Sequence, residues 1–160
     1  MIRLLLSALF SAPVGASAQT LLAEDFSRPA AAWEAMSGEI TRKVGTGWTN
    51  SPSLRMLSRR ADLKDIAVKF DLIMRGMTPG HSAGAQASDG LHIWLLYKSE
   101  ASYYEVSVNR RDETILIQKK QGGELHTLSG PAGFPVQFNS WQEVHAAISD
   151  NMYGSVTIAL

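Results

Sequence analysis

Apolar and polar residues alternate along much of this chain, and the clearest alternation covers residues 103–120. The apolar positions of this stretch are Tyr104, Val106, Val108, Ile115 and Ile117. A period of two predicts β-strands that turn one face toward a core. The four charged residues at 110–113 interrupt the alternation and predict a turn between two antiparallel strands.

Further segments carry the same strand signals. They are an early strand near Trp33, after a loop over 30–36, and the segments 53–58, 66–74, 91–97, 143–149 and 155–160. The Gly, Ser and Pro residues of 45–52 and 76–90 predict loops, and Gly122-Gly123 predicts a turn. Short strands separated by turn signals, without a long amphipathic helix, predict an all-β protein built as an antiparallel sandwich or barrel.

The register of the central strands follows from keeping their apolar residues on one side of the sheet. Pairing Val108 with Ile115 does so for the hairpin, and pairing Tyr97 with Tyr104 does so for the preceding strand, with 98–103 as the connection. Leu91, Ile93, Leu95 and Tyr97 then share the apolar face. The opposite face collects His92, Trp94, Leu96, Tyr103, Glu105, Ser107, Asn109, Leu116, Gln118 and Lys120.

The first 18 residues have the order of a secretory signal peptide: Arg3, an apolar run over 4–10, and Ala16-Ser17-Ala18. The apolar run is shorter than the roughly 20 residues that span a bilayer. We therefore expect cleavage after Ala18, one domain over 19–160, no membrane span in the mature chain, and a secreted or periplasmic location. An ordinary N-terminal core strand is the alternative for this segment.

Composition narrows the classes of partner. The chain has 15 basic and 15 acidic residues, so it lacks the excess of basic residues that is expected of a protein that binds nucleic acid. It contains no cysteine, which excludes thiol chemistry, disulfides and cysteine-ligated zinc.

In order along the chain, the strand segments resemble the concanavalin A-like lectin/glucanase superfamily, and within it laminin-G-like domains and the 3-keto-disaccharide hydrolase domain family. The resemblance is carried by EDFS at 24–27, Trp33, DIAVKFDLIM at 65–74, GLHIWLLY at 90–97, the stretch 103–120, and Trp141 before VHAAIS. It implies an antiparallel jelly-roll β-sandwich that binds carbohydrate on a concave sheet. It also implies final strands after Leu160, so residues 19–160 alone are expected to aggregate or unfold readily.

The mixed face of the central strands is the candidate ligand surface. Trp94 and Tyr103 are candidates to stack on the apolar face of a sugar ring. Polar neighbours would orient its hydroxyl groups: His92, Glu105, Asn109, Gln118 and Lys120. The alternative is that Trp94 packs beneath a loop and the polar residues face solvent.

A catalytic assignment is less well supported by the sequence. Family-16-type glucanases carry Glu-x-Asp-x-x-Glu on one strand, and this chain has no such spacing. Retaining hydrolysis needs two carboxyl groups about 5 Å apart, whereas Glu105 is the single acid on the mixed face. Three functions therefore stay open: a carbohydrate-binding module, a hydrolase of the 3-keto-disaccharide type that uses Glu105, and an envelope adhesion module.

Metal ligands are sparse in the sequence. His81, His92, His126 and His145 have no i, i+2 or i, i+4 spacing, so no histidine metal site is predicted. Glu24-Asp25 with Asp150 is a candidate structural calcium site, because hard oxygen ligands suit that ion. Ordinary capping or surface roles are the alternative for these acids, and no other cofactor is expected.

Overall fold

The computed structural model describes residues 2–5, 33–43, 46–49, 54–59, 66–75, 89–148 and 156–159. Regular structure in these ranges consists of strands, and no helix occurs among them. The strands are β1 (Ile2–Leu5), β2 (Trp33–Ser37), β3 (Thr41–Lys43), β4 (Thr46–Trp48), β5 (Arg55–Ser58), β6 (Ile66–Ile73), β7 (Gly90–Ser99), β8 (Ser102–Asn109), β9 (Thr114–Gln121), β10 (Glu124–Gly133), β11 (Trp141–Ile148) and β12 (Val156–Ala159). All paired strands are antiparallel. The predicted all-β class with antiparallel sheets is confirmed.

The chain divides into two compact units, Met1–Thr78 with Phe138–Leu160, and Pro79–Gln137. The first unit contains a six-stranded sheet in the order β12-β11-β6-β1-β4-β3 and a separate pair, β2-β5. Its core lies on one face of β6 and β11, where Phe70 pairs with Val144 and Val68 with Ala146. These side chains are buried because both strands alternate apolar and polar residues in matching register.

Three expectations for the first unit differ from the structure. Strand β2 begins at Trp33 and so occupies most of the segment 30–36 that the sequence predicts as a loop. Strand β4 lies inside the segment 45–52 that the sequence predicts as a loop, and Gly47 is buried between Ile2 of β1 and Arg42 of β3. A strand of three residues with a central glycine shows no alternation that sequence patterns can detect. Strand β1 lies within the predicted leader peptide and pairs with β6 from Ile2↔Leu72 to Leu5↔Lys69. Cleavage after Ala18 concerns processing and stays a prediction.

The second unit is a four-stranded sheet in the order β10-β9-β8-β7. The predicted turn at 110–113 connects β8 and β9, and the predicted Gly122-Gly123 turn connects β9 and β10. Both glycines have positive φ, 62° and 90°, a conformation that costs glycine little. Strand β10 is not predicted from the sequence, since Gly130-Pro131 and two register shifts interrupt its alternation.

The registers of the central strands are only partly as predicted. Val108 pairs with Ile115 as expected, but Tyr104 pairs with Leu95 and not with Tyr97. The predicted register of β7 is therefore wrong by two residues. The cause is a β-bulge: between the pairs Leu95↔Tyr104 and Ser99↔Ser102, three residues of β7 lie opposite Tyr103 alone. Leu96, inside this bulge, has a φ of 48°. The alternation of apolar and polar residues in the sequence does not predict such a bulge.

The core of the second unit lies under β7 and β8, where Leu95 and Val106 are each 1 % exposed. Ile115, Ile117 and Tyr104 were expected in this core but are only half-buried. Strand β8 is buried on both faces over its second half, because Glu105, Ser107 and Asn109 on the opposite face are also buried. The polar face of β8 is therefore not the solvated surface that was the alternative expectation.

Candidate functional site

The register of β7 to β10 places the candidate residues in cross-strand rows on one side of the sheet, here called the mixed face. One row is Trp94, Glu105, Gln118 and Thr127; a second is His92, Ser107 and Leu116; a third is Tyr103, Lys120 and Leu125. Directly opposed side chains in such rows have Cβ atoms about 5 Å apart, so they contact one another. The structure thus brings together the site residues that the sequence predicts.

Three aromatic rings form a cluster on this face. The ring centroids of Trp94 and Tyr103 are 4.6 Å apart with planes inclined by 22°. Tyr97 lies 5.7 Å from Trp94 at 6° and 6.1 Å from Tyr103 at 23°. Near-parallel, offset rings at these separations are a favourable aromatic geometry. The cluster therefore holds its members in fixed orientation.

Tyr97 is the member that sequence reasoning missed. Strict alternation places it on the apolar face with Leu95, but the bulge in β7 brings its ring to Trp94 and Tyr103. A non-glycine residue with positive φ, here Leu96, is uncommon, and no turn motif in the sequence announces it. The one sequence signal for this cluster is the presence of two aromatic residues, Trp94 and Tyr97, three positions apart on the same strand.

A directional chain of hydrogen bonds crosses the mixed face beside the aromatic cluster. His92 Nδ1 contacts Glu105 Oε1 and lies 3.1 Å from Ser107 Oγ. Because the carboxylate accepts, Nδ1 carries the proton. Ser107 Oγ then donates to Asn109 Oδ1 at 2.7 Å, since its own proton is not needed by the imidazole.

Asn109 and the following turn complete this chain. Asn109 Nδ2 donates to Thr114 Oγ1 at 3.0 Å, and Thr114 Oγ1 donates to Asp112 Oδ1 at 2.7 Å. Both polar atoms of the Asn109 amide are thus engaged, and the residue is 2 % exposed. This geometry orients Ser107 and the turn, so we assign Asn109 to support of the site and not to ligand contact.

Burial divides the mixed face into an accessible part and a supporting part. Glu105, Ser107, Asn109 and Tyr103 are 7 %, 2 %, 2 % and 6 % exposed. The side chain of His92 is 33 % exposed, and Trp94, Tyr97, Gln118 and Lys120 are half-buried. A ligand on this face would therefore contact the second group, with Glu105 and Tyr103 fixing His92 and Trp94 from below.

The arrangement of Ser107, His92 and Glu105 is not a nucleophilic relay. In such a relay the acid binds one imidazole nitrogen and the serine hydroxyl binds the other. Here Glu105 and Ser107 both contact Nδ1 of His92. The hydroxyl proton of Ser107 is directed to Asn109, so the geometry does not activate the serine oxygen.

Two adjacent lysines lie over tyrosine rings on opposite faces of β9. Lys120 Nζ is 5.5 Å from the centroid of Tyr103 on the mixed face, and Lys119 Nζ is 5.4 Å from that of Tyr104 on the other. Both distances allow a cation–π contact. At the edge of the sheet, Arg111 Nε donates to Asp89 Oδ2 at 2.6 Å and fixes the turn.

Among the described residues, no group of three or more His, Asp or Glu side chains is placed to hold a metal ion. The candidate calcium ligands Glu24, Asp25 and Asp150 lie outside the described residues, as does His81. Within the described ranges, no helix has the length and apolar character required to cross a membrane.

Comparisons with protein-family models, with curated proteins and with solved structures found no match to this chain. The concanavalin A-like resemblance therefore rests on the strand pattern alone.

Proposed function

We propose that this chain is an exported carbohydrate-binding protein that holds a glycan on the mixed face of β7 to β10. The observation that carries the proposal is the cluster of Trp94, Tyr97 and Tyr103 beside accessible polar groups. Sugar recognition uses an aromatic surface for the apolar side of the ring and a few fixed polar groups for the hydroxyls. The strand-pattern resemblance supports the same function and a jelly-roll β-sandwich of the concanavalin A-like type.

His92, one of the polar groups of the face, is fixed in advance of binding, which favours specific recognition. His92 is oriented by Glu105, and Gln118 Nε2 lies 3.5 Å from Thr127 Oγ1. Since the His92 side chain is already ordered, binding of a ligand to it costs little additional side-chain entropy on the protein side. Gln118 offers both a donor and an acceptor, as sugar hydroxyls require.

The test is the retention of Trp94→Ala by soluble polysaccharides in affinity electrophoresis. We expect a loss of affinity of at least about tenfold, or 1.4 kcal/mol, as for a central aromatic in a binding site. Trp141→Ala is the matched control, because Trp141 is 50 % exposed and lies on β11 in the other unit. Circular dichroism establishes that both variants are folded. Equal retention of both variants on every bound polysaccharide would reject this site.

A hydrolytic function of the 3-keto-disaccharide type is the second candidate, favoured by the contact between Glu105 and His92. A buried carboxyl group next to an imidazole can act as a general acid or base. Glu105→Gln keeps the shape of the side chain but cannot transfer a proton. Turnover of a 3-keto-glycoside that disappears in Glu105→Gln, with glycan affinity retained, would support this candidate over a purely binding role.

A further inference from the structure

We propose that Lys120 makes the mixed face selective for acidic polysaccharides, with the carboxylate of a uronic acid at the ammonium group. This inference rests on the proposed carbohydrate-binding function and specifies its ligand class. It follows from where Lys120 lies, which charges surround it, and how it differs from Lys119.

The position of Lys120 is next to the aromatic cluster. It is the cross-strand neighbour of Tyr103 on β8 and of Leu125 on β10. Its ammonium lies 5.5 Å from the Tyr103 centroid, and Leu125 is 51 % exposed. A sugar that stacks on the accessible aromatic rings would therefore place its substituents within reach of the Lys120 ammonium group.

Strands β7 to β10 place no accessible carboxylate on the mixed face to compete for this lysine. Within strands β7 to β10, which are described throughout, Glu105 is the one acid on this face, since the register places Glu124 with Lys119 on the other. Glu105 is 7 % exposed and bonded to His92. No ion pair to Lys120 occurs among the described residues. A ligand carboxylate would thus be the natural partner of the ammonium group.

The basic residue on this face is a lysine and not an arginine. No arginine lies on the mixed face of β7 to β10, so planar bidentate recognition of a carboxylate or a phosphate is absent from these strands. Lysine acts as a point charge on a flexible stem, and its stem can lie along the Tyr103 ring while the charge meets the ligand.

Lys119 provides a matched internal control. It is the next residue, lies over Tyr104 at 5.4 Å, and is half-buried like Lys120. It occupies the opposite face of the sheet because successive residues of a strand point to opposite sides. Lys119→Met and Lys120→Met therefore remove the same charge from equivalent tyrosine contacts, and only the second alters the mixed face.

The experiment measures affinity of the full chain for polygalacturonate and alginate, each beside its carboxyl-reduced neutral form. We expect tighter binding of the acidic form, and a weakening in Lys120→Met of about two- to fivefold, the value for one exposed ion pair. Lys119→Met should bind as the wild type does. Binding of the acidic form should weaken with added salt less in Lys120→Met than in the wild type.

Each outcome bears on the inference. Equal affinity for acidic and neutral forms, with Trp94→Ala still defective, would overturn the selectivity while leaving the proposed function intact. Equal losses in Lys119→Met and Lys120→Met would show that net charge acts without a defined site, and would overturn it as well. Absence of binding to all four polymers, when other glycans are retained through Trp94, would reject the acidic ligand class. Absence of binding to any glycan would reject the proposed function itself.

Discussion

Alanine at Gly90 should destabilise the sheet that carries the mixed face, because β7 and β8 approach closely at this position. A Cβ on Gly90 would lie 1.9 Å from the backbone oxygen of Val108, 2.9 Å from its carbonyl carbon and 3.1 Å from Cα of Asn109. Ordinary van der Waals contact begins at 3.4 Å, so Cβ and the oxygen at 1.9 Å would have to move apart by a further 1.5 Å. The atoms in the way belong to the backbone and cannot rotate aside.

The cost follows from two contributions. Overpacking of this kind costs about 1–3 kcal/mol, and separation of the strand ends weakens hydrogen bonds such as Arg110 N–H to Asp89 O, worth about 1 kcal/mol each. We expect a loss of about 2–4 kcal/mol, a large part of the 5–15 kcal/mol typical of a domain. Gly133→Ala is the control, since nothing lies within 4 Å of its Cβ.

Urea unfolding of the wild type, Gly90→Ala and Gly133→Ala, followed by circular dichroism, measures these differences. Gly133→Ala should change stability by less than about 1 kcal/mol, in the stabilising direction if its backbone suits alanine. If Gly90→Ala were as stable as the wild type, the Val108 carbonyl would not face Gly90. The β7–β8 register, and with it the pairing of Trp94 with Glu105, would then be wrong.

Three further predictions concern other parts of the chain. Ser107→Ala and Asn109→Ala should each lower the free energy of unfolding in urea by about 1–3 kcal/mol. Because the two side chains share a buried hydrogen bond, a double-mutant cycle should show a coupling energy of about 0.5–1.5 kcal/mol. Strictly additive effects would contradict that bond. Hydrogen bonding to Lys69 lowers the pKa of Glu143. The stability that ionised Glu143 contributes should therefore be present above the pKa of the unfolded state and be lost as the pH falls through the lower folded value. The difference in stability between wild type and Glu143→Gln should vanish in acid, and a difference independent of pH would refute this. Finally, β6 pairs with β1 on one side and with β11 on the other, so successive amides of 69–72 should all be protected from hydrogen exchange in the full chain. Fast exchange at alternate amides of this range would show that β1 does not pair there.

The parts of the fold that were predictable from the sequence are those where side chains alternate without interruption. The hairpin of β8 and β9 has two such arms and a charged turn, so its register follows from burying Val106 and Val108 on one face. Strands β6 and β11 are predictable for the same reason. Strand β10 and the short strands β3 and β4 lack sustained alternation, and their formation depends on neighbours distant in sequence.

Most residues of the candidate site were predictable from the sequence, but Tyr97 and the geometry of the site were not. Alternation along the strands is enough to place Trp94, Tyr103 and Glu105 on one face, and the structure places Trp94 next to each of the other two. The bulge that brings Tyr97 to the site depends on the positive φ of Leu96, which the alternation of apolar and polar residues does not predict. The burial of Ser107 and Asn109 was also not predictable, because their polarity is satisfied internally by hydrogen bonds that only the folded sheet creates.

The most direct test of the proposed function is an amide NMR titration of the folded chain with an oligosaccharide of a polysaccharide that it retains. We expect the largest shift changes at the backbone amides of Trp94, Tyr97, Gln118 and Lys120, whose half-buried side chains belong to the accessible part of the mixed face. Changes on the opposite face, around Tyr104 and Lys119, should be small. Saturable changes confined to that opposite face or to β6 and β11 would place the glycan elsewhere and contradict the proposed site.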